Sequence, residues 1–174
     1  MKIVGFTYYD GAYRMAMKSD SSLLNQGKPF FLPDGSEDIR QCPCVALRIN
    51  RLGRSIAPQF AVRYYDAMAY GIDFRAADLL RQGLTTEALA FDGALCVGEW
   101  MPPAVFRTLP CALLNEIEQA LPVEQAIAQI SSTMTLRMGD ILYIDLPKEA
   151  LPVKREDVIR YEHDEQPLLY CRIK

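Results

Sequence analysis

The sequence predicts a β-rich α+β or barrel-like domain, and three observations predict it. Short apolar segments of strand length dominate both ends of the chain. Helical periodicity is confined to the middle. No internal repeat and no flexible linker divides the 174 residues, so residues 1–174 form a single domain. Half of the residues are hydrophobic and 24% are charged. A chain of this length buries about 70% of the surface that its unfolded form exposes.

Taken in order, residues 2–6 alternate as a strand, and residues 28–33 give another, closed by the Asp34-Gly35 turn signal. Residues 45–50 read as a strand, followed by the turn Arg51-Leu52-Gly53-Arg54. Pro58 suits the first turn of a helix. Ala57, Phe60, Ala61, Tyr64 and Met68 recur at helical spacing, which predicts a helix to about Ala69 with that face inward. Residues 70–74 look extended, and residues 75–82 look helical with Gly83 as the stop. A further helix starts at Pro122, with Val123, Ala126, Ile127 and Ile130 on one face. Strands over 140–146, 158–161 and 168–173 close the chain.

Composition narrows the function classes. The net charge of −3 argues against a dedicated binder of nucleic acid or anionic membranes, both of which rely on concentrated positive charge. No apolar run approaches the ~20 residues that a membrane helix needs. The start MKIVGFTYYD reads as a strand rather than a signal peptide, so the expected location is cytoplasmic. Five cysteines (Cys42, Cys44, Cys96, Cys111 and Cys171) are then expected as reduced thiols. The single histidine, His163, excludes metal sites built on several histidines of one chain. It lies in the polar run Tyr161-Glu162-His163-Asp164-Glu165-Gln166-Pro167, read as an exposed hairpin turn rather than a general base.

Generic motifs are sparse. No Gly-rich phosphate loop, G-x-S-x-G or H-E-x-x-H occurs. Arg48, Arg51 and Arg54 can hold a phosphate, but strand alternation and a turn also place such charges on a solvated face.

Several segments, in collinear order, carry a resemblance. They are Met1-Lys2-Ile3-Val4-Gly5, Arg48-Ile49-Asn50-Arg51-Leu52-Gly53-Arg54, and Ala69-Tyr70-Gly71-Ile72-Asp73-Phe74-Arg75-Ala76-Ala77-Asp78-Leu79. Phe91-Asp92-Gly93, Val97-Gly98-Glu99 and Thr135-Leu136-Arg137-Met138-Gly139-Asp140-Ile141-Leu142 continue it. Together they resemble the fumarylacetoacetate hydrolase family over nearly the whole chain. The resemblance implies a mixed β-sandwich or rolled sheet with a few short helices, and a homodimer. It also implies descent from enzymes that hydrolyse, decarboxylate or isomerise 2-oxo acids such as acylpyruvates. Those enzymes hold Mg²⁺ or Mn²⁺ on three carboxylates, which polarises the oxo acid.

Residue by residue, the resemblance points to a dismantled centre. The family's two metal glutamates fall at Cys42 and Cys44, and its metal aspartate at Asp73. The arginine four residues on is Ala77, while Asp78 is kept; a lysine is replaced by Leu89, while Asp92 stays. A Thr-Gly-Thr-Pro that contacts substrate has become Ile144-Asp145-Leu146-Pro147. The lid's His–Glu pair is absent, with Gly11 at the histidine position. Mg²⁺ prefers oxygen ligands, so two thiols remove most of its binding energy.

Three readings follow. The first is a catalytically inactive member that works as a binding or partner subunit and needs no cofactor, with a small 2-oxo acid or related molecule as a candidate ligand. The second is an active hydrolase, lyase or isomerase on acylpyruvate-like 2-oxo acids, with a rebuilt site in which Lys18, Asp73 and Asp92 are the surviving cleft groups. The third is a Zn²⁺ site made by Cys42 and Cys44 with Asp73, against which stands the plainer reading of two packed thiols.

Overall fold

A computed structural model describes residues 1–109, 112–163 and 166–174, without the side chain of Gln166. Cys111 and the turn residues Asp164 and Glu165 lie outside the described residues. The strands are β1 (Ile3–Tyr9), β2 (Ala12–Lys18), β3 (Leu23–Asn25), β4 (Ile39–Ile49), β5 (Tyr65–Ala76), β6 (Leu95–Val97), β7 (Ile141–Asp145), β8 (Leu151–Pro152), β9 (Val158–His163) and β10 (Gln166–Arg172). The helices are α1 (Ala77–Arg81), α2 (Thr85–Leu89), α3 (Pro103–Phe106), α4 (Ala112–Ala120) and α5 (Val123–Thr133), with 3₁₀ turns at Asp20–Ser22 and Pro58–Arg63. The result is the mixed, sheet-dominated α+β architecture that the sequence predicts.

The main sheet runs β2-β1-β7-β4-β5-β6-β3, with β8 paired to β4, while β9 and β10 form a separate antiparallel ribbon. Most neighbours are antiparallel; β1 with β7, and β3 with β6, are parallel. The β1–β2 connection is tight because Asp10 and Gly11 both have positive φ, as a two-residue hairpin turn requires.

Each face of the central strands carries its own apolar cluster. On one face Val4, Phe6, Val45, Leu47, Met68, Ile72 and Phe74 meet α5 through Val123, Ala126, Ile127 and Ile130. Pro122 caps α5, and the four apolar residues predicted for its inner face are all buried. On the other face Ile3, Cys44, Ala46, Ala69, Leu95, Val97, Ile141 and Tyr143 pack together. Burial on both faces explains why β5 reads as a nearly continuous apolar run.

Two expectations fail here, and the helix expected over 75–82 begins only at Ala77, because Arg75 and Ala76 belong to β5. The helix predicted to Ala69 is only the 3₁₀ turn Pro58–Arg63, after which the chain enters β5 at Tyr65. Phe60, placed inward by the helical spacing, is 45% exposed. Sheet pairing with β4 over residues 65–76 outweighs a weak local periodicity. The segment 28–33 is extended but is not a ladder strand. Phe30 forms a single parallel bridge to Ile173, and Leu32 N–H donates to the Lys174 carbonyl at 2.9 Å. His163 ends β9 and is half-buried beside Tyr70, Tyr161 and Leu168. No helix among the described residues is long and apolar enough to cross a membrane.

Candidate functional site

Register alone brings the predicted site residues together. Cys42 lies directly opposite Asp73, and Cys44 opposite Gly71 on β5 and Asp145 on β7. Tyr143 lies opposite Gly5 on β1, and Ile3 opposite Lys18 on β2. Directly paired residues and alternate residues share a face, so Cys42, Cys44, Asp73, Arg75, Asp145, Tyr143, Thr7 and Lys18 all point to one side.

That side is closed by side-chain contacts that a flat sheet forbids. Lys18 Nζ is 2.7 Å from Asp73 Oδ1, although β2 and β5 are four steps apart in the sheet order. Four spacings of ~4.8 Å make about 19 Å, which is beyond the reach of a lysine side chain, so the sheet is rolled. Arg75 makes a similar span. Its guanidinium donates to the Tyr8 carbonyl at 2.5 Å and to Asp145 Oδ2 at 2.6 Å, and sits 3.1 Å from Asp73 Oδ2. Lys18 Nζ also donates to the Leu89 carbonyl at 2.6 Å. Leu89 is the position at which the resemblance places a lysine, so an ammonium group reaches it from another strand. The Tyr143 ring lies 5.5 Å from the same nitrogen.

These four charged side chains are almost completely buried, at 0% for Lys18, Asp73 and Asp145 and 2% for Arg75. Two cations against two carboxylates leave the cluster electrically neutral, which is what such deep burial demands. Both oxygens of Asp73 meet their cations as ion pairs, without the alignment of hydrogen bonds. Burial lowers the tendency of Arg75 to hold its proton, but Asp145 and Asp73 outweigh it and raise its pKa. Burial, together with the neighbouring Asp73, raises that of Asp145, and Arg75 and the Tyr8 N–H oppose the rise.

The thiols are held neutral. Burial first, and the Asp145 charge second, push Cys42 and Cys44 up from the ordinary thiol range. Cys42 Sγ faces the Leu146 carbonyl at 3.5 Å, whereas Cys44 Sγ packs against Gly71. Among the described residues, no three His, Cys, Asp or Glu side chains converge as a metal cage would.

Lys18, named from the sequence as a cleft group, is therefore sealed inside the protein and spoken for by Asp73 and Leu89. Asp92 is elsewhere. It lines an open groove of about 610 Å³ with Ser21, Leu24, Phe30 and Asp34. Arg48 leans on Trp100 and pairs with Asp66 on the surface, which satisfies one of the three arginines considered for a phosphate. Arg75 and Asp145, the other half of the cluster, do not stand out as charges in the sequence. The available signal was a charge embedded in an apolar strand, which must find a partner.

Comparison with known proteins places the chain. The family model for the C-terminal domain of fumarylacetoacetate (FAA) hydrolase matches residues 10–173. No curated protein matches it in sequence. Among solved structures, a fumarylpyruvate hydrolase from Pseudomonas aeruginosa in complex with Mn²⁺ and pyruvate superposes with a TM-score of 0.81 at 15% identity, over 99% of this chain and 89% of that one. A 5-carboxymethyl-2-hydroxymuconate delta-isomerase from Mycobacterium smegmatis gives 0.81 at 16% identity, over 99% and 78%. A 2-hydroxyhepta-2,4-diene-1,7-dioate isomerase from Mycobacterium marinum gives 0.79 at 18% identity, over 99% and 73%. At such identities the likeness is one of fold.

Proposed function

Because the chain belongs to the fumarylacetoacetate hydrolase family, we propose that it is a member without the metal-dependent chemistry, working as a binding or partner subunit. The observation that carries this reading is the state of Asp73. Its two oxygens face Lys18 at 2.7 Å and Arg75 at 3.1 Å, so neither is open to a divalent ion. The two companion positions offer buried, protonated thiols in place of carboxylates. Mg²⁺ and Mn²⁺ call for oxygen donors, and this donor set does not fit them. Zn²⁺ fits little better, since it takes the thiolate form that burial here disfavours.

The ligand of such a subunit is proposed to be a small 2-oxo acid or related carboxylate, and the assembly a homodimer. The terminal strand β2 supports the latter, because it exposes Met15 and Met17 along an unpaired sheet edge. The proposed location is the cytoplasm, a reducing compartment that suits the free thiols of Cys42, Cys44, Cys96 and Cys171.

Metal analysis of protein purified without chelator, paired with an acylpyruvate turnover assay in added Mn²⁺, tests the reading. The expected result is substoichiometric Mg²⁺, Mn²⁺ and Zn²⁺, with turnover at the uncatalysed background. One divalent ion per chain, with metal-dependent turnover, restores the enzyme. One Zn²⁺ per chain without turnover selects the thiol site. Light scattering at micromolar concentration reads the assembly, and a monomer there contradicts the homodimer.

A further inference from the structure

We infer that Lys18 is a tethered cation in a built ammonium site, and that this site, together with Arg75, clasps the rolled sheet shut. The inference accepts the reading above only in placing no divalent ion at Asp73.

Three different groups converge on the Lys18 nitrogen. Asp73 Oδ1 supplies a negative charge at 2.7 Å, the Leu89 carbonyl accepts a hydrogen bond at 2.6 Å, and the face of Tyr143 lies at 5.5 Å. A carboxylate, a carbonyl and an aromatic ring are the surroundings in which a primary ammonium is stable away from water. They come from β5, α2 and β7, while the lysine comes from β2. One nitrogen thus joins the first strand in the sheet order to the fifth, and to a helix outside the sheet. Arg75 repeats the device from the opposite side, joining β5 to the end of β1 and to Asp145 of β7.

Apolar packing of Ile3, Ala46, Ala69, Leu95, Val97 and Tyr143 fills the same face, but it is non-directional. Small residues at Gly5, Ala46, Ala69 and Gly71 let the strands curl, but they supply no attraction that is specific for the curled state. The ion pairs do, because opening the roll separates charges that are fully desolvated when it is closed. Removing Lys18 leaves the Asp73 charge with Arg75 alone and leaves an ammonium-shaped vacancy.

Chemical rescue tests the inference. Lys18→Ala removes the tether and leaves room for n-propylammonium. The melting temperature of this variant is expected to fall by about 10 °C. Millimolar n-propylammonium chloride should restore a substantial part of the loss without moving the wild type. Tetramethylammonium chloride, which has no N–H to donate, should restore none. If the alanine variant does not fold from cells, Lys18→Met, which keeps the chain volume but not the charge, is melted instead; it is expected to lose stability and to gain nothing from n-propylammonium, since no vacancy is left.

A wild-type melting temperature in either variant overturns the clasp. Equal rescue by the two ammonium salts overturns the site. Rescue by Mn²⁺ in place of n-propylammonium makes the vacancy a divalent site and overturns the assignment. The metal content and turnover of the wild type, which decide the proposed function, do not enter these outcomes.

Discussion

The sulfur of Cys44 occupies the space that a side chain at Gly71 would need. A Cβ at that glycine would lie 2.7 Å from Cys44 Sγ and 3.3 Å from the Cys96 carbonyl oxygen. Three strands meet there with no slack. Gly71→Ala is expected to lose about 1–3 kcal/mol by overpacking. Adding Cys44→Ala should recover part of that loss. Urea denaturation of the two single variants and the double variant measures the coupling, and strict additivity would contradict the contact.

Metal affinity should depend on the cations as well as on the ligands. Cys42→Glu with Cys44→Glu adds two carboxylates beside Asp73, but Lys18 and Arg75 still occupy its oxygens. Weak Mn²⁺ binding is expected from this double variant. Adding Lys18→Met should tighten it by roughly tenfold, or about 1.4 kcal/mol. Calorimetry on both proteins checks this, after a thermal melt shows that each is folded. Equal affinities would remove the competition between ammonium and metal.

Acid sensitivity should concentrate at Asp140. Its carboxylate accepts from the Lys2 N–H at 3.0 Å and the Arg137 N–H at 2.7 Å, and pairs with the Lys2 ammonium. Burial works to raise its pKa, but these partners outweigh burial and lower it. A lowered carboxyl pKa contributes stability that is present above the unfolded value and lost as pH falls through the folded one. Asp140→Asn should therefore cost about 1–2 kcal/mol at pH 7. The variant and wild type should converge as pH falls below the ordinary carboxylate range and through the lowered folded value. Stability curves that stay parallel through the whole acid transition would show that Asp140 is not the acid-sensitive group.

The two thiols should be inert while the protein is folded. Cys42 and Cys44 are fully buried, and burial holds both as thiols. Iodoacetamide at pH 8 should leave their shared peptide unmodified for hours, then alkylate it rapidly in guanidinium chloride. Mass spectrometry of that peptide decides the matter. Fast native labelling would mean that this face opens readily.

Helix α5 and the apolar strands β4 and β7 are legible in the sequence, for different reasons. Helix α5 shows its 3.6-residue spacing because only one side meets the sheet. β4 and β7 were found as apolar runs, although β4 begins at Ile39, several residues before its apolar stretch. The N-terminal half of β5 reads as helix because burial on both faces erases alternation, leaving Ala61, Tyr64 and Met68 to imitate a helix. β2 does not stand out because most of it is exposed and its small and flexible apolar residues, Ala12, Met15, Ala16 and Met17, do not alternate with polar ones. For the site, Asp73 and its two thiol neighbours are picked out by the family resemblance, and Lys18 as a cleft group, although it is sealed from solvent. That Lys18 crosses the roll to Asp73 could not be read, since it depends on curvature rather than on sequence spacing.

The parallel pairing of β1 with β7 has a consequence for how the protein is made. Lys2 and Asp140 bond across 138 positions of chain, and Phe30 bridges to Ile173. On a ribosome adding ~5–20 residues per second, the first strand is made roughly 7–28 s before its partner exists. During that interval Ile3, Val4 and Phe6 have only the β2 hairpin for shelter. A nascent chain of this topology is exposed to aggregation for most of its synthesis. Its yield in cells should therefore follow the supply of holdases that act on nascent chains more closely than the stability of the finished fold.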